Sequence, residues 1–292
     1  MTAAERRAKN IAIFEDTVEK ALTHPVLMMS VKASVETQEI TDEDTFFIYE
    51  DDMLITRDQR AGVLVSEKRS FEAAQPYAME GKKVAVLNFA AWTTPGGGVC
   101  SGSSAQEESL CRCSTLYPCI SETSVREEFY EPHKAKRKVD PRYMLHNDDL
   151  IYTPDVTVFK SDTSEPELLD MSEWYKVDVI TCAAPKLSLS FLDKKGLGVS
   201  DDLLNIGEDE LRNIFKSRIT KILTAALAHD VDAIILGAFG CGAFRNPPEL
   251  VAQVFNEVIA DFLYSFDIIE FPIFHVGKED ENYRAFCKYI TL

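Results

Sequence analysis

The chain has no stretch approaching the roughly 18 consecutive apolar residues that a membrane-spanning helix needs, so no membrane partner is expected. Its first ten residues, Met1 to Asn10, are charged rather than apolar, and a secretory signal is not expected either. Basic residues are few: 31 Lys and Arg stand against 48 Asp and Glu, for a formal net charge of -17. That balance argues against a general phosphate-backbone binder with a basic face, so direct DNA binding is not expected. It leaves local anion recognition open, because backbone amides and helix N-termini hold a diphosphate without net positive charge.

Metal-ligand spacing is also missing. The seven cysteines are Cys100, Cys111, Cys113, Cys119, Cys182, Cys241 and Cys287. Cys111, Cys113 and Cys119 cluster, but no second cysteine pair or histidine pair completes a zinc pattern, and His133 and His146 are isolated. Neither a metal nor a cofactor is expected. An odd cysteine count without a signal points to reduced thiols, hence a cytoplasmic protein with the nucleus left open.

What is present alternates between buried strands and amphipathic helices. Ala3 to His24 places Ile11, Phe14, Val18 and Leu22 at helical spacing, with Ala8 and Ile13 widening that face. Thr41 to Asp58 is acidic around Phe46, Phe47 and Ile48 and reads as an edge strand; Ser66 to Met79 reads as a helix. Lys83 to Ala90 is a near-continuous apolar run of the kind found in interior parallel strands. Val156 to Phe159, Val177 to Ala183, Asp232 to Phe239 and Ile268 to Val276 repeat it. Glu208 to His229 and Pro248 to Tyr264 are predicted helices, the second opened by prolines that suit a first turn. The basic run His133 to Arg142 reads as a loop. Strand–helix alternation of this kind implies an α/β fold with a three-layer α/β/α sandwich and a mostly parallel sheet. A single large domain is expected, with residues 1–60 as an N-terminal helical extension and edge strand, and residues 61–292 as the catalytic domain.

Two glycine-rich turns carry the functional signal. Gly96, Gly97 and Gly98 follow the Lys83 to Ala90 strand, at the strand end where α/β folds bind ligands. Ser103 or Ser104 is positioned to cap a helix starting near Gln106, with Glu107 and Glu108 in its first turn. An acidic first turn is ordinarily a solvated, dipole-favoured surface; here the glycines set it beside a ligand pocket. The dinucleotide G-x-G-x-x-G spacing is absent, and no Gly-Lys-Ser/Thr closes a Walker A loop. The second turn, Gly237 to Pro248, again joins a buried strand to a helix. Its Gly237, Gly240 and Gly242 are suited to a backbone nest for a diphosphate, and Phe239 and Phe244 to an apolar wall. A tight strand-to-helix connection is the competing reading of that segment.

Gly96-Gly97-Gly98 followed by Gln106-Glu107-Glu108 resembles the GGG…QEE pattern of poly(ADP-ribose) glycohydrolases, of the bacterial and fungal branch in particular. The likeness extends to Leu87-Asn88-Phe89-Ala90, Glu108-Ser109-Leu110-Cys111-Arg112, Ser114-Thr115-Leu116-Tyr117-Pro118 and Ile151-Tyr152-Thr153-Pro154-Asp155-Val156. It continues at Ile180-Thr181-Cys182-Ala183-Ala184-Pro185, at Leu236 to Phe244 and in the N-terminal Arg7 to Thr17 helix.

The resemblance implies a macrodomain fold with a mixed, mostly parallel sheet, and cleavage of ribose–ribose bonds in poly(ADP-ribose) to release ADP-ribose. Glu108 matches the catalytic acid and Glu107 the carboxylate that binds the ribose hydroxyls. Gly96 to Gln106 matches the catalytic loop. The diphosphate would be held by Gly237, Phe239, Gly240, Cys241, Gly242, Ala243 and Phe244, the last ordering the terminal ribose. Poly(ADP-ribose) or ADP-ribosylated proteins are the implied partners. The chain departs from the pattern at Ala91, where a polar residue is common, at the bulky Trp92, and at Thr94 and Lys186, where Asn is common. A non-catalytic ADP-ribose-binding macrodomain is the alternative.

Overall fold

The computed structural model describes residues 1–42, 54–140, 142–188, 203–277 and 280–292. Strands β1 (Glu39–Thr41), β2 (Gly62–Ser66), β3 (Val84–Phe89), β4 (Leu150–Val158), β5 (Tyr175–Cys182), β6 (Ala233–Ile235) and β7 (Ile268–Pro272) form one seven-stranded sheet. Their order is β1-β4-β5-β3-β6-β7-β2. β4 runs antiparallel to both β1 and β5, and the other four pairings are parallel. The mixed, mostly parallel sheet expected from the sequence is therefore the one observed.

Helices cover both faces. In chain order they are α1 (Ala3–Thr23), α2 (Pro25–Thr37), α3 (Ser70–Met79), α4 (Gln106–Cys113), α5 (Leu116–Ile120), α6 (Thr123–Val125), α7 (Glu131–Val139), α8 (Tyr143–His146), α9 (Glu208–Ala228), α10 (Pro248–Ile259) and α11 (Glu281–Tyr289). Successive residues of a strand point to opposite faces, and β3 shows the consequence. Val84 and Val86 pack with Phe14 of α1, Phe71 of α3, Leu110 of α4 and Leu116 of α5. Ala85 and Leu87 pack on the other side with Ile222 of α9, Phe255 of α10 and Phe286 of α11. A strand buried on both faces needs an unbroken apolar run, which is what made β3 legible.

Several local expectations change. The α1 face that meets the protein is Asn10, Phe14, Thr17 and Ala21, while Leu22 is exposed. Ser66 ends strand β2, so the helix begins only at Ser70. The basic run is helical over Glu131–Val139: Pro132 suits its first turn, and Lys136, Arg137 and Lys138 complement the negative end of its dipole. The edge strand is Glu39–Thr41; Phe46, Phe47 and Ile48 lie outside the described residues. No helix among the described residues is long and apolar enough to cross a membrane.

Candidate active site

The parallel strands β2, β3, β5, β6 and β7 end at the same edge of the sheet, and a crevice outside such carboxyl ends is where open α/β sheets bind ligands. A cleft of about 520 Å³ lies there. Its wall is built from the residues that follow each strand: Lys68–Ser70 after β2, Phe89 and Ala91 at β3, Ala184 after β5, Ala238, Gly240 and Gly242 to Phe244 after β6, and Pro272 to Phe274 at β7.

The α4 N-terminus closes one end of the cleft. Gln106 locks it in place: its Oε1 accepts from the Phe89 N–H at 2.9 Å, and its Nε2 donates to Leu87 O at 2.8 Å and to Ser70 Oγ at 3.0 Å. The helix is capped at Ala105 without a side-chain hydrogen bond, so neither Ser103 nor Ser104 serves as the cap. Instead the first-turn carboxylates turn inward. Glu107 and Glu108 are only 3% and 7% exposed, which is unlike a solvated acidic turn.

Each carboxylate is tethered by one oxygen. Glu107 Oε2 accepts from the Ala91 N–H at 2.7 Å, and Glu108 Oε1 accepts from the Gly98 N–H at 2.8 Å. Glu107 Oε1 and Glu108 Oε2 are buried without a protein partner. Buried unpaired oxygens cost free energy, and such exceptions cluster where a ligand completes the bonding. Gly97 lies between the two side chains with φ 57°; a Cβ there would come within 2.8 Å of Glu108 Oε1 and 2.9 Å of Glu107 Oε2. Residues one apart on a helix do not face each other, yet both reach the same turn. Burial raises the proton affinity of Glu107 well above the ordinary carboxylate range; the Ala91 N–H opposes that rise and the neighbouring Glu108 charge adds to it.

The second turn is built differently. Asn246, 2% exposed, donates from Nδ2 to Pro185 O at 2.7 Å and to Gly240 O at 3.0 Å. The Phe244 carbonyl accepts from Leu187 N at 3.1 Å. Among the described residues the N–H groups of Gly242, Ala243 and Phe244 have no partner, and all three residues border the cleft. Phe244 is half-buried against Ala90, Trp92 and Ala183, with the Lys186 ammonium 5.5 Å from its ring centre.

Not every anticipated site residue reaches the cleft. Gly97, Gly98, Gln106, Glu107, Glu108, Gly240, Gly242, Ala243 and Phe244 line it, whereas Gly96, Gly237, Phe239 and Cys241 do not. Phe239 is fully buried, packed against Phe89 and Phe215. Trp92 is likewise core, its Nε1–H bonded to Ala184 O at 3.1 Å. Of the departures from the family pattern, Ala91 and Thr94 line the cleft, and Trp92 and Lys186 do not. The three clustered cysteines are free and buried, and no group of three potential ligands is placed to hold a metal among the described residues.

Sequence reasoning missed the far end of the cleft, where Lys68, Arg69, Asp162, Phe274 and Asn282 gather. The Arg69 guanidinium lies 3.8 Å from the Phe274 ring centre, a cation–π distance. Asp162 Oδ2 accepts from the Phe71 N–H at 2.9 Å, while its Oδ1 is buried and unpartnered. Burial pushes this carboxyl up to about 6. Its only local signal was Asp162 lying just beyond the end of β4; Arg69 was hidden because the predicted helix, Ser66 to Met79, covered it, whereas the helix begins at Ser70.

Comparison with known proteins is consistent with this geometry. The microbial-type PARG catalytic domain matches residues 8–161. A Thermomonospora curvata poly(ADP-ribose) glycohydrolase structure superposes with a TM-score of 0.77 at 28% identity, covering 97% of this chain and 100% of that one. The same bacterium's enzyme bound to the inhibitor ADP-HPD gives 0.75 at 29% identity, covering 97% and 99%. A Deinococcus radiodurans poly(ADP-ribose) glycohydrolase in complex with ADP-ribose gives 0.70 at 26% identity, covering 89% and 96%. No curated protein sequence matches the chain.

Proposed function

Because the chain belongs to the microbial-type PARG catalytic-domain family and is a poly(ADP-ribose) glycohydrolase, we propose that Glu108 is the general acid and base of its reaction. The ribose–ribose linkage is glycosidic, so its cleavage passes through an oxocarbenium-like state and needs a proton on the leaving oxygen. Glu108 delivers that proton and then, as a carboxylate, draws one from the water that attacks the anomeric carbon. The observation that carries this role is its half-tethered carboxyl: Oε1 is fixed by the Gly98 N–H, and Oε2 is buried with no protein partner.

Glu107 is assigned to the ribose hydroxyls. Its own free oxygen, Oε1, supplies the acceptor, and burial raises the proton affinity of Glu107 itself. That offsets the helix N-terminus, which favours the ionised forms. The open N–H groups at Gly242, Ala243 and Phe244 hold the diphosphate, since successive amides make an anion nest. The far end takes the base, with Phe274 and Arg69 as a stacking face and Asp162 Oδ1 as acceptor for an exocyclic amine. The substrate is the polymer, free or on protein, and ADP-ribose is the product. The seven unpaired cysteines support a cytoplasmic location.

Glu108→Gln keeps the shape and removes the titrating proton. Hydrolysis of labelled polymer should fall by about a thousandfold or more, the scale of an essential acid–base group, while calorimetry should show ADP-ribose still binding. Turnover within a few-fold of the unsubstituted enzyme rejects the role. A non-catalytic reader of ADP-ribose would turn over no polymer in either form, and membership of a hydrolase family weighs against it.

A further inference from the structure

We infer that the first helix is part of the catalytic apparatus, with Asn10 as a positioning residue that holds the catalytic loop from behind. This rests on the roles given above to Glu107 and Glu108. It treats α1 as a support for the active site and not as an accessory extension.

Contact begins between backbones. Gly102 lies within the loop with φ 74°, and a Cβ there would lie 2.8 Å from the Arg7 Cα and collide with the Arg7 carbonyl. Only glycine allows helix and loop to approach this closely. Asn10, 5% exposed, then donates from Nδ2 to the Gly102 carbonyl at 3.0 Å. A polar side chain on the buried face of an amphipathic helix costs desolvation that an apolar residue would avoid, so its placement needs a reason. That carbonyl belongs to the turn that fixes Gly98: Gly102 N donates to Val99 O at 3.0 Å, and Ser103 N donates to Gly98 O at 3.1 Å. Gly98 is the residue whose N–H tethers Glu108 at 2.8 Å. Asn10 therefore acts on the catalytic carboxylate through two backbone steps.

Two more anchors share the helix face. The Phe14 ring meets Tyr117 edge-on at 4.8 Å between centroids, and Tyr117 in turn backs Gly96, where a Cβ would lie 2.8 Å from its ring. Thr17 Oγ1 donates to Arg112 O at 2.7 Å, and the Arg112 guanidinium donates to Ser103 O at 2.6 Å. Asn10, Phe14 and Thr17 recur at three- and four-residue spacing, so one helical stripe braces both the loop and the far end of α4. The diphosphate turn has its own anchor in Asn246.

The test compares Asn10→Leu, which keeps the bulk and removes the donor, with the unsubstituted enzyme. If Asn10→Leu does not fold, the near-isosteric Asn10→Asp takes its place. Turnover of polymer, ADP-ribose affinity by calorimetry and melting temperature are read together, with Glu108→Gln in parallel. The expected result is a fall in kcat of about tenfold to a hundredfold, the cost of a carboxylate displaced by about an ångström, with the ADP-ribose Kd within about threefold. An unchanged kcat in a folded variant overturns the inference. So does a parallel loss of kcat, affinity and melting temperature, which marks plain packing. Full turnover by Glu108→Gln would instead sink the catalytic assignment, so the two failures are told apart.

Discussion

The two glycine-rich turns sit at neighbouring strand ends and do opposite things with their backbone. The first, at Gly96 to Gly98, spends its amides inside the protein: Gly98 N–H is taken by Glu108, and Gly97 N donates to Thr94 O at 3.0 Å. The second leaves the N–H groups of Gly242, Ala243 and Phe244, three residues that border the cleft, without partners among the described residues. A turn that must place a carboxylate needs rigidity, because catalysis depends on reacting groups held in near-attack geometry. A turn that must bind an anion needs donors left open. The glycines look alike in sequence, and their surroundings decide the role.

That contrast is most easily broken at Gly97. A methyl group there meets oxygens of both carboxylates within 3 Å, at a φ that side chains rarely adopt. Gly97→Ala should lower kcat by about a hundredfold or more and cost about 1–3 kcal/mol of stability through backbone strain; polymer turnover and a thermal melt read both. The matching substitution in the second turn is milder. Nothing lies within 4 Å of a Cβ at Gly242 and its φ is not left-handed. Gly242→Ala should leave the melting temperature and kcat unchanged while raising KM and the ADP-ribose Kd by about threefold to tenfold, the signature of lost uniform binding. Equal kcat losses in the two variants would erase the distinction between the turns.

How much of this could be read from the chain follows the same division. The turns, the strand before each and the acidic pair were legible because each signal is local: an apolar run, a glycine cluster, a helix start. The α7 helix was not, since its charges hide the period and His133 is its one buried residue. Asn10 and Thr17 were overlooked because periodicity counts apolar residues, and these two are polar groups buried by contact with α4 and the loop. The cluster of Arg69, Asp162 and Phe274 was invisible for a topological reason. Arg69 follows β2 and Phe274 follows β7, and only the pairing of those two strands brings them together; Asp162 follows the antiparallel β4, far across the sheet, and reaches them through its bond to the Phe71 N–H of α3. Long-range register of this kind leaves no mark in any short window of sequence.

Asp162 extends the comparison to a third half-tethered carboxyl in the wall of the same cleft. Burial raises it from 3.8 to about 6. A carboxyl whose folded value is raised binds its proton more tightly in the native state, so stability falls as pH rises between about 4 and 6, and the full penalty is present above that window. A shift of about 2 units caps the penalty at about 3 kcal/mol. Asp162→Asn keeps an oxygen for the Phe71 N–H and removes the charge. It should therefore raise the melting temperature at pH 7 and leave it unchanged near pH 3.5, where both forms are neutral. ADP-ribose should bind the variant about threefold to tenfold more weakly at pH 7, the loss of one charge-assisted hydrogen bond. Binding to the unsubstituted enzyme should weaken as pH drops through 6. A variant that gains stability and keeps its affinity would make this carboxyl a misplaced charge instead of a contact, and would confine the working acids to the α4 turn.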